Sequence, residues 1–180
     1  TLAWTASSDS GSGLSQYEVC YDTTINGACT GAWTSAGLTT SAAVSLADGE
    51  YEWQVQAVDG GNNTTYADGA ATAVWVFRVD TTEPGEFGKA GPADGAALAD
   101  GAVTLAWTAS SDSGSGLSRY EVCYDTTVDG ACTGTWTSAG LTTSMAVALA
   151  DGSYEWQVRA ADGVSNTTYA DGAATAVWVF

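Results

Sequence analysis

The chain contains two copies of one sequence, and this repeat limits its fold more than any other feature. Residues 1–77 and 104–180 align without a gap at an offset of 103, and 66 of the 77 aligned positions are identical. Each copy is long enough to bury a core of its own. The repeat therefore predicts two related modules rather than one domain.

Residues 78–103 separate the two copies, and the first copy has no such segment before it. We predict a module lacking its first strand over residues 1–77, a linker over 78–85 and a complete module over 86–180. This start in mid-unit indicates a window on a longer tandem array. A stand-alone protein with a shortened first domain is the alternative.

Apolar residues alternate with polar or small ones along short runs such as Val103–Trp107 and Tyr120–Tyr124. A period of two is typical of β-strands, and no helical period recurs. Turn sequences such as SDSGSG and ADG separate the runs at short spacing, which favours an all-β sandwich. The seven strands predicted for a full unit are 86–93, 103–109, 118–125, 131–138, 143–149, 153–161 and 172–180.

Three runs of the second copy, VTLAWTAS, RYEVCYD and LADGSYEWQVRAAD, resemble the strand signatures of fibronectin type III-like modules. The segment DTTEPGEF…K…P-DGA is similar to the opening of repeated modules in secreted bacterial surface proteins. The resemblance implies tandem fibronectin type III-like, or immunoglobulin-like, β-sandwiches with a period of 103 residues. In this family a Trp of the second strand packs against a Tyr of the sixth. The resemblance therefore implies that Trp4 packs against Tyr51, and Trp107 against Tyr154.

Each copy has two cysteines with eight residues between them. The intervening sequences DTTINGA and DTTVDGA contain turn residues, so a hairpin would bring each pair together. We predict two local disulfides and hence an oxidising compartment, extracellular or at the cell surface. Free thiols in a cytosolic protein are the alternative, whereas zinc would lack ligands. Alternation places Cys20 on the outward face of its strand. The predicted pairs are Cys20 with Cys29 and Cys123 with Cys132.

The composition excludes several classes of function. The chain has 21 acidic and 4 basic residues, no histidine and a formal net charge of −17. A nucleic-acid binder needs a basic face, and an anionic membrane surface would repel this chain. No apolar run is long enough for membrane insertion. Because the commonest general base is absent, we predict no enzyme activity and no resident cofactor.

Calcium is the one cofactor that the acidic loops suggest. The SDSGSG loops over residues 8–13 and 111–116 are rich in oxygen ligands, which calcium prefers. Each loop has one carboxylate and lacks the spacing of an EF-hand, so a solvated acidic loop is the simpler interpretation. The weak candidate ligands are Asp9, Asp112, Asp80 and Asp100.

Two kinds of residue suggest carbohydrate. Asn-X-Thr triplets make Asn62, Asn63 and Asn166 candidate glycosylation sites. Trp33 and Trp136 are weak candidates for carbohydrate contact, and both could equally cap the edge of the core.

The leading hypothesis is a non-catalytic extracellular protein with a structural or adhesive role, in a longer surface array or fibre. Its partners would be neighbouring copies of the repeat or chain. An open sheet edge in the first copy would favour pairing with a strand from a neighbouring segment or chain. The alternative is an accessory carbohydrate-binding module of a secreted enzyme, whose partners would be glycans.

Overall fold

The computed structural model describes residues 1–180 and divides them into two compact units, Thr1–Asp80 (unit 1) and Thr81–Phe180 (unit 2). The regular structure is almost entirely antiparallel β-sheet, as the alternation predicted. The only helices are two 3-10 turns of three residues, Ala67–Gly69 and Ala170–Gly172. Neither could cross a membrane.

Unit 2 has two sheets. The strands are β8 (Lys89–Gly91), β9 (Ala102–Trp107), β10 (Leu117–Asp125), β11 (Thr137–Gly140), β12 (Ser144–Ala148), β13 (Glu155–Asp162), β14 (Thr167–Tyr169) and β15 (Trp178–Val179). The smaller sheet has the strand order β12-β9-β8, and the larger has β11-β10-β13-β14 with β15 beside β13.

The two sheets of unit 2 enclose one core. Leu105 of the smaller sheet and Val122 and Trp156 of the larger one have no exposed surface. Phe87, just before β8, belongs to the same cluster and packs its ring against Tyr120 at 5.6 Å between centroids. The β-sandwich predicted from the alternation is thus confirmed.

Unit 1 repeats this arrangement without a counterpart of β8. Its strands are β1 (Leu2–Ala3), β2 (Leu14–Asp22), β3 (Thr34–Gly37), β4 (Ser41–Ala42), β5 (Gly49–Asp59), β6 (Thr64–Tyr66) and β7 (Trp75–Val79). Its smaller sheet consists of β1 and β4 alone, and its larger sheet has the order β3-β2-β5-β6 with β7 beside β5.

Several predicted strands are shorter in the structure, because side chains hold their ends as loops. The strand predicted over 131–138 begins only at Thr137, since the Asp125 carboxylate accepts the amide hydrogens of Thr133 and Gly134. The strand predicted over 172–180 is reduced to Trp178–Val179. No pattern in the sequence predicted β14, a strand of three residues.

The aromatic pairs implied by the resemblance are not the ones that form. Trp4 packs against Tyr17 with ring centroids 5.6 Å apart, and Trp107 packs against Tyr120 at the same distance. Tyr51 stacks instead on Phe77, which lies directly opposite it in the neighbouring strand.

Unit 2 repeats the same tyrosine arrangement, with Tyr154 stacked on Phe180. In unit 1 the Tyr51 hydroxyl also donates a hydrogen bond to the Ala47 carbonyl. The prediction was wrong because each of these tyrosines stacks on a phenylalanine beside it in its own sheet.

The segment predicted as a linker, 78–85, contains residues that belong to each unit. Arg78 and Val79 extend β7, where Val79 lies opposite Gly49 of β5. The amide of Gly85 donates a hydrogen bond of 2.8 Å to the Ser111 carbonyl within unit 2.

Candidate functional site

Each unit contains one of the predicted disulfides. Cys20 bonds to Cys29 and Cys123 to Cys132, with Cα–Cα distances of 6.0 and 6.1 Å. No free cysteine remains. Cys20 lies opposite Gln54 in the sheet and points away from the core, as predicted, yet it is fully buried.

The loop closed by each disulfide explains this burial, because a carboxylate of the sheet holds the loop over the outward face. In unit 1 the Glu52 carboxylate accepts the amide hydrogens of Asn26 and Gly27 at 3.2 and 3.0 Å. Glu155 does the same for Asp129 and Gly130 in unit 2. Both glutamates are fully buried.

A second loop is held on the same face by a glutamine. In unit 2 the Gln157 side-chain amide donates hydrogen bonds to the carbonyls of Ala170, Ala173 and Ala176. Gln54 makes the same three contacts in unit 1. The loop thereby forms one wall of a groove that runs beside the core in both units.

In unit 2 this groove is filled by β8 and the residues before it. Lys89 has no exposed side-chain surface, and its ammonium lies 2.6 Å from the Asp171 carboxylate. The ammonium donates further hydrogen bonds to the Gln157 side chain at 3.0 Å and the Ala176 carbonyl at 2.6 Å. It also lies 5.4 Å from the Trp178 ring centroid. Burial lowers the pKa of Lys89, and the Asp171 carboxylate opposes that effect.

In unit 1 the same groove is empty of protein atoms. A cavity of about 520 Å³ lies between the residues that correspond to those around Phe87 and Lys89. Its lining includes Trp4, Tyr17, Trp53, Gln54, Asp68 and Trp75. A second cavity, of about 670 Å³, also reaches Trp53 and Trp75 and extends to Val76. Trp75 is 61% exposed and Val76 50% exposed, whereas their counterparts in unit 2 are half-buried.

Sequence reasoning missed this groove. A signal was present, since Lys89 is the chain's only lysine and follows Phe87 by two residues, the spacing that places both on one face of a strand. Gln157 in β13 and Asp171 in the 3-10 turn are far from Lys89 in sequence and could not be paired with it from periodicity.

Three of the four candidate calcium ligands hold their own loops. Asp9 accepts the amide hydrogens of Gly11 and Gly13 at 3.2 and 2.7 Å. Asp112 accepts that of Gly116, and Asp100 accepts that of Ala102, each at 2.6 Å. Asp80 is the last residue of unit 1. These contacts account for the Asp-Ser-Gly sequences by turn formation, and calcium binding stays a prediction.

Two of the candidate glycosylation sites use their side-chain amides within the fold. The amide nitrogen of Asn63 donates to the Asp59 carboxylate at 2.7 Å, and that of Asn166 donates to Asp162 at the same distance. Asn62 is exposed in the turn between Asp59 and Asn63, with a φ of 63°. The Asn166 amide nitrogen makes two hydrogen bonds, to Asp162 and to the Thr82 carbonyl, so a sugar there would replace one of them.

The two candidate carbohydrate-contact residues differ in their surroundings. Both are half-buried and pack against a tyrosine, Trp33 on Tyr66 at 6.0 Å and Trp136 on Tyr169 at 5.9 Å. The Arg159 guanidinium lies 4.4 Å from the centroid of the Trp136 ring. A sugar that stacks on this face of Trp136 must displace that guanidinium.

Arg159 also belongs to a charged cluster on the sheet of unit 2. The Glu121 carboxylate accepts hydrogen bonds from Arg119 at 2.9 Å and from Arg159 at 2.8 Å. Burial would raise the pKa of Glu121, but the two guanidinium groups outweigh it and hold the pKa below its usual value. In unit 1 two glutamines, Gln16 and Gln56, donate to Glu18 in the same positions, each at 2.7 Å.

Comparison with known proteins gives matches over nearly the whole chain. The chain is 35% identical to exoglucanase B of Cellulomonas fimi and 32% identical to chitinase A1 of Niallia circulans, in each case over 96% of its length. The chain spans only 15% and 23% of the length of those two proteins. No family profile matches the chain.

A solved structure of fibronectin(III)-like modules of CbhA from Clostridium thermocellum covers 89% of the chain, and the chain covers 76% of that structure. The TM-score is 0.51 and the sequence identity is 18%. The fold is therefore that of fibronectin III-like modules, as the sequence resemblance implied.

Proposed function

We propose that the chain is a pair of non-catalytic, extracellular modules that act as spacers in a larger polysaccharide-degrading protein. The observation that carries this proposal is the pattern of coverage. Both units together match an exoglucanase and a chitinase, two enzymes named for different polysaccharides, while accounting for less than a quarter of each. Because the two enzymes are named for different polysaccharides, a supporting role explains the shared modules more simply than a common substrate does.

Two features of the chain support an extracellular setting. A disulfide in each unit is typical of proteins that fold in an oxidising compartment. The excess of acidic residues, spread over both units, favours a solvated and self-repelling chain. The near identity of the two copies supports a repeated structural element, and a surface array built from more copies is the extended form of the same role.

Carbohydrate binding is the second candidate function, and one observation favours unit 1 as its place. Trp136 is covered by Arg159, whereas the corresponding position near Trp33 holds Gln56, an uncharged and shorter side chain. The Trp33 ring therefore has no guanidinium for a sugar to displace.

Retention on microcrystalline cellulose and on chitin distinguishes the two functions. The spacer role predicts no saturable retention of the chain on either polysaccharide and no release of reducing sugar. Trp33→Ala and the matched variant Trp136→Ala should then behave like the parent chain. Saturable retention that is lost in Trp33→Ala and kept in Trp136→Ala would replace the spacer role by carbohydrate binding.

The oligomeric state of the purified chain tests whether the units assemble between chains into an array. A spacer that works within one polypeptide predicts compact monomers in electron micrographs and in sedimentation at all concentrations. Strings or fibres of the isolated chain would instead support assembly between chains.

A further inference from the structure

We propose that the groove of unit 1 is an acceptor site for an extended polypeptide strand carrying a phenylalanine and, two residues later, a lysine. The occupant is a strand with the sequence of the segment that precedes β9 in unit 2. This inference deepens the proposed spacer role, on which it rests only for the source of the strand. The binding reaction itself belongs to unit 1.

Unit 2 shows how such a strand is held. Phe87 packs on Tyr120, and Lys89 reaches the bottom of the groove beside Asp171. The backbone is held as well, because the Phe87 carbonyl accepts the Asp171 amide hydrogen at 2.9 Å and the Gly88 carbonyl accepts that of Thr108 at 2.8 Å. Binding therefore uses main-chain hydrogen bonds along an edge and two side-chain pockets, the pattern of strand addition.

The contacts continue beyond the strand. The Gly95 amide donates to the Val179 carbonyl at 2.7 Å, and the Val179 amide donates to the Asp94 carboxylate at 2.8 Å. The segment from Gly85 to Gly95 thus covers the edge formed by β9, the 3-10 turn and β15.

Each residue that holds this segment in unit 2 has the same residue type at the corresponding position of unit 1. Tyr17, Gln54 and Asp68 correspond to Tyr120, Gln157 and Asp171. The remaining receptor positions are also identical in the two copies: Trp4, Thr5, Trp53, Ala73, Trp75 and Val76. The first cavity is lined by Thr5, Tyr17 and Asp68, whose counterparts contact residues 85–95 in unit 2, and the second by Val76, whose counterpart Val179 does so.

Charge and hydrogen bonding indicate what the groove lacks. Residues 1–77 contain eight acidic and no basic residues, so no lysine or arginine of the repeat can pair with Asp68. The Asp68 carboxylate accepts the indole N–H of Trp75 at 3.0 Å instead. The counterpart carboxylate in unit 2 is paired with the Lys89 ammonium. A lysine-bearing strand would supply the missing cation, cover Trp75 and bury the exposed apolar edge.

Titration of the 180-residue chain with a synthetic peptide of residues 84–95, PGEFGKAGPADG, tests the proposal. We expect saturable binding of one peptide per chain, a blue shift of tryptophan emission as Trp75 is covered, and amide shifts at Thr5 and Asp68 by NMR. The matched peptides with Phe→Ala or Lys→Ala should each bind at least about tenfold more weakly, because each loses a buried anchor.

Asp68→Asn in the chain should likewise weaken binding of the parent peptide by about tenfold or more. Asparagine tolerates the left-handed backbone of residue 68, which has a φ of 55°, so the variant should fold. Asp151→Asn, in an exposed turn of unit 2, is the matched control and should bind like the parent.

Equal binding of all three peptides, or no binding at all, would overturn the acceptor site while leaving the spacer role intact. Dimerisation of the chain alone, in competition with the peptide, would show that the same segment of a second copy occupies the groove and would support the acceptor site. If oligosaccharides shift the tryptophan emission and the peptide does not bind, the groove would be assigned to carbohydrate instead.

Discussion

Units 1 and 2 have the same sequence at 66 of 77 aligned positions, and yet their corresponding residues differ in exposure. Trp156 is completely buried, whereas its counterpart Trp53 is half-buried. Trp75 is 61% exposed, whereas Trp178 is half-buried. These four tryptophans are unchanged between the copies, so their own sequence cannot account for the difference.

The difference is explained by the segment before β9, which only unit 2 has within this chain. Phe87 and Lys89 lie beside the tryptophans of unit 2 and remove them from solvent. The comparison shows that most of the sandwich forms without the first strand, because the disulfide, the larger sheet and the loop held by Gln54 are all present in unit 1. The first strand completes a groove that the rest of the module has already built.

Removing the Phe87 ring should have the largest effect on this comparison. Phe87→Ala leaves a cavity against Tyr120, and such a change in a core typically costs about 3–5 kcal/mol. We expect the urea concentration at the midpoint of unfolding of unit 2 to fall towards that of unit 1. Tryptophan fluorescence follows both transitions. The transition of unit 1 serves as the internal control and should stay where it is. A shift of both transitions together would show that the two units do not unfold independently.

The disulfides should affect both units equally, since the loops that they close have the same length. Cys20→Ser/Cys29→Ser and Cys123→Ser/Cys132→Ser should each lower the free energy of unfolding of their own unit by about 2–3 kcal/mol. Urea unfolding of the two double variants gives the measurement. A loss much greater in unit 1 would mean that the disulfide does there part of what the first strand does in unit 2.

The smallest effect should come from the charged cluster around Glu121. Arg119→Gln/Arg159→Gln replaces the guanidinium groups around Glu121 by the amides that surround Glu18 in unit 1. These pairs are partly exposed, so the expected loss is about 1 kcal/mol or less at neutral pH, and smaller in high salt.

The same variant should change the response of unit 2 to acid. The pKa of Glu121 is held below its usual value of 4.5, so its contribution to stability is present above that pH and is lost as the pH falls through the lower folded value. Removing the arginines should make unfolding of unit 2 less sensitive to pH below about 4.5, measured by urea titrations at several pH values. An unchanged pH dependence would show that the arginines do not set the pKa.

Much of the architecture could be predicted from local patterns. The alternation along β9 and β10 indicates the sandwich, and the turn residues between Cys123 and Cys132 indicate the disulfide. What could not be predicted depends on loops that return over the outward face of the larger sheet. Alternation assigns Cys20 and Gln54 to that face, but it cannot show that two loops cover it and bury both residues.

The pairing of aromatic rings and the environment of Lys89 are beyond local patterns for a related reason. Lys89 contacts residues 68 to 87 positions away along the chain, whereas a period of two describes neighbours within one strand. Tyr51 similarly faces Phe77 because of how β5 and β7 align, which a single strand does not reveal.

Hydrogen exchange at four amides tests most directly that the units differ by the occupancy of one groove. The amides of Thr108 and Asp171 donate to the segment before β9, and their counterparts Thr5 and Asp68 have no such acceptor. We predict slow exchange at the first two and fast exchange at the second two, with Thr5 and Asp68 slowing when the peptide of residues 84–95 is added. Equal protection of all four amides without the peptide would contradict the account.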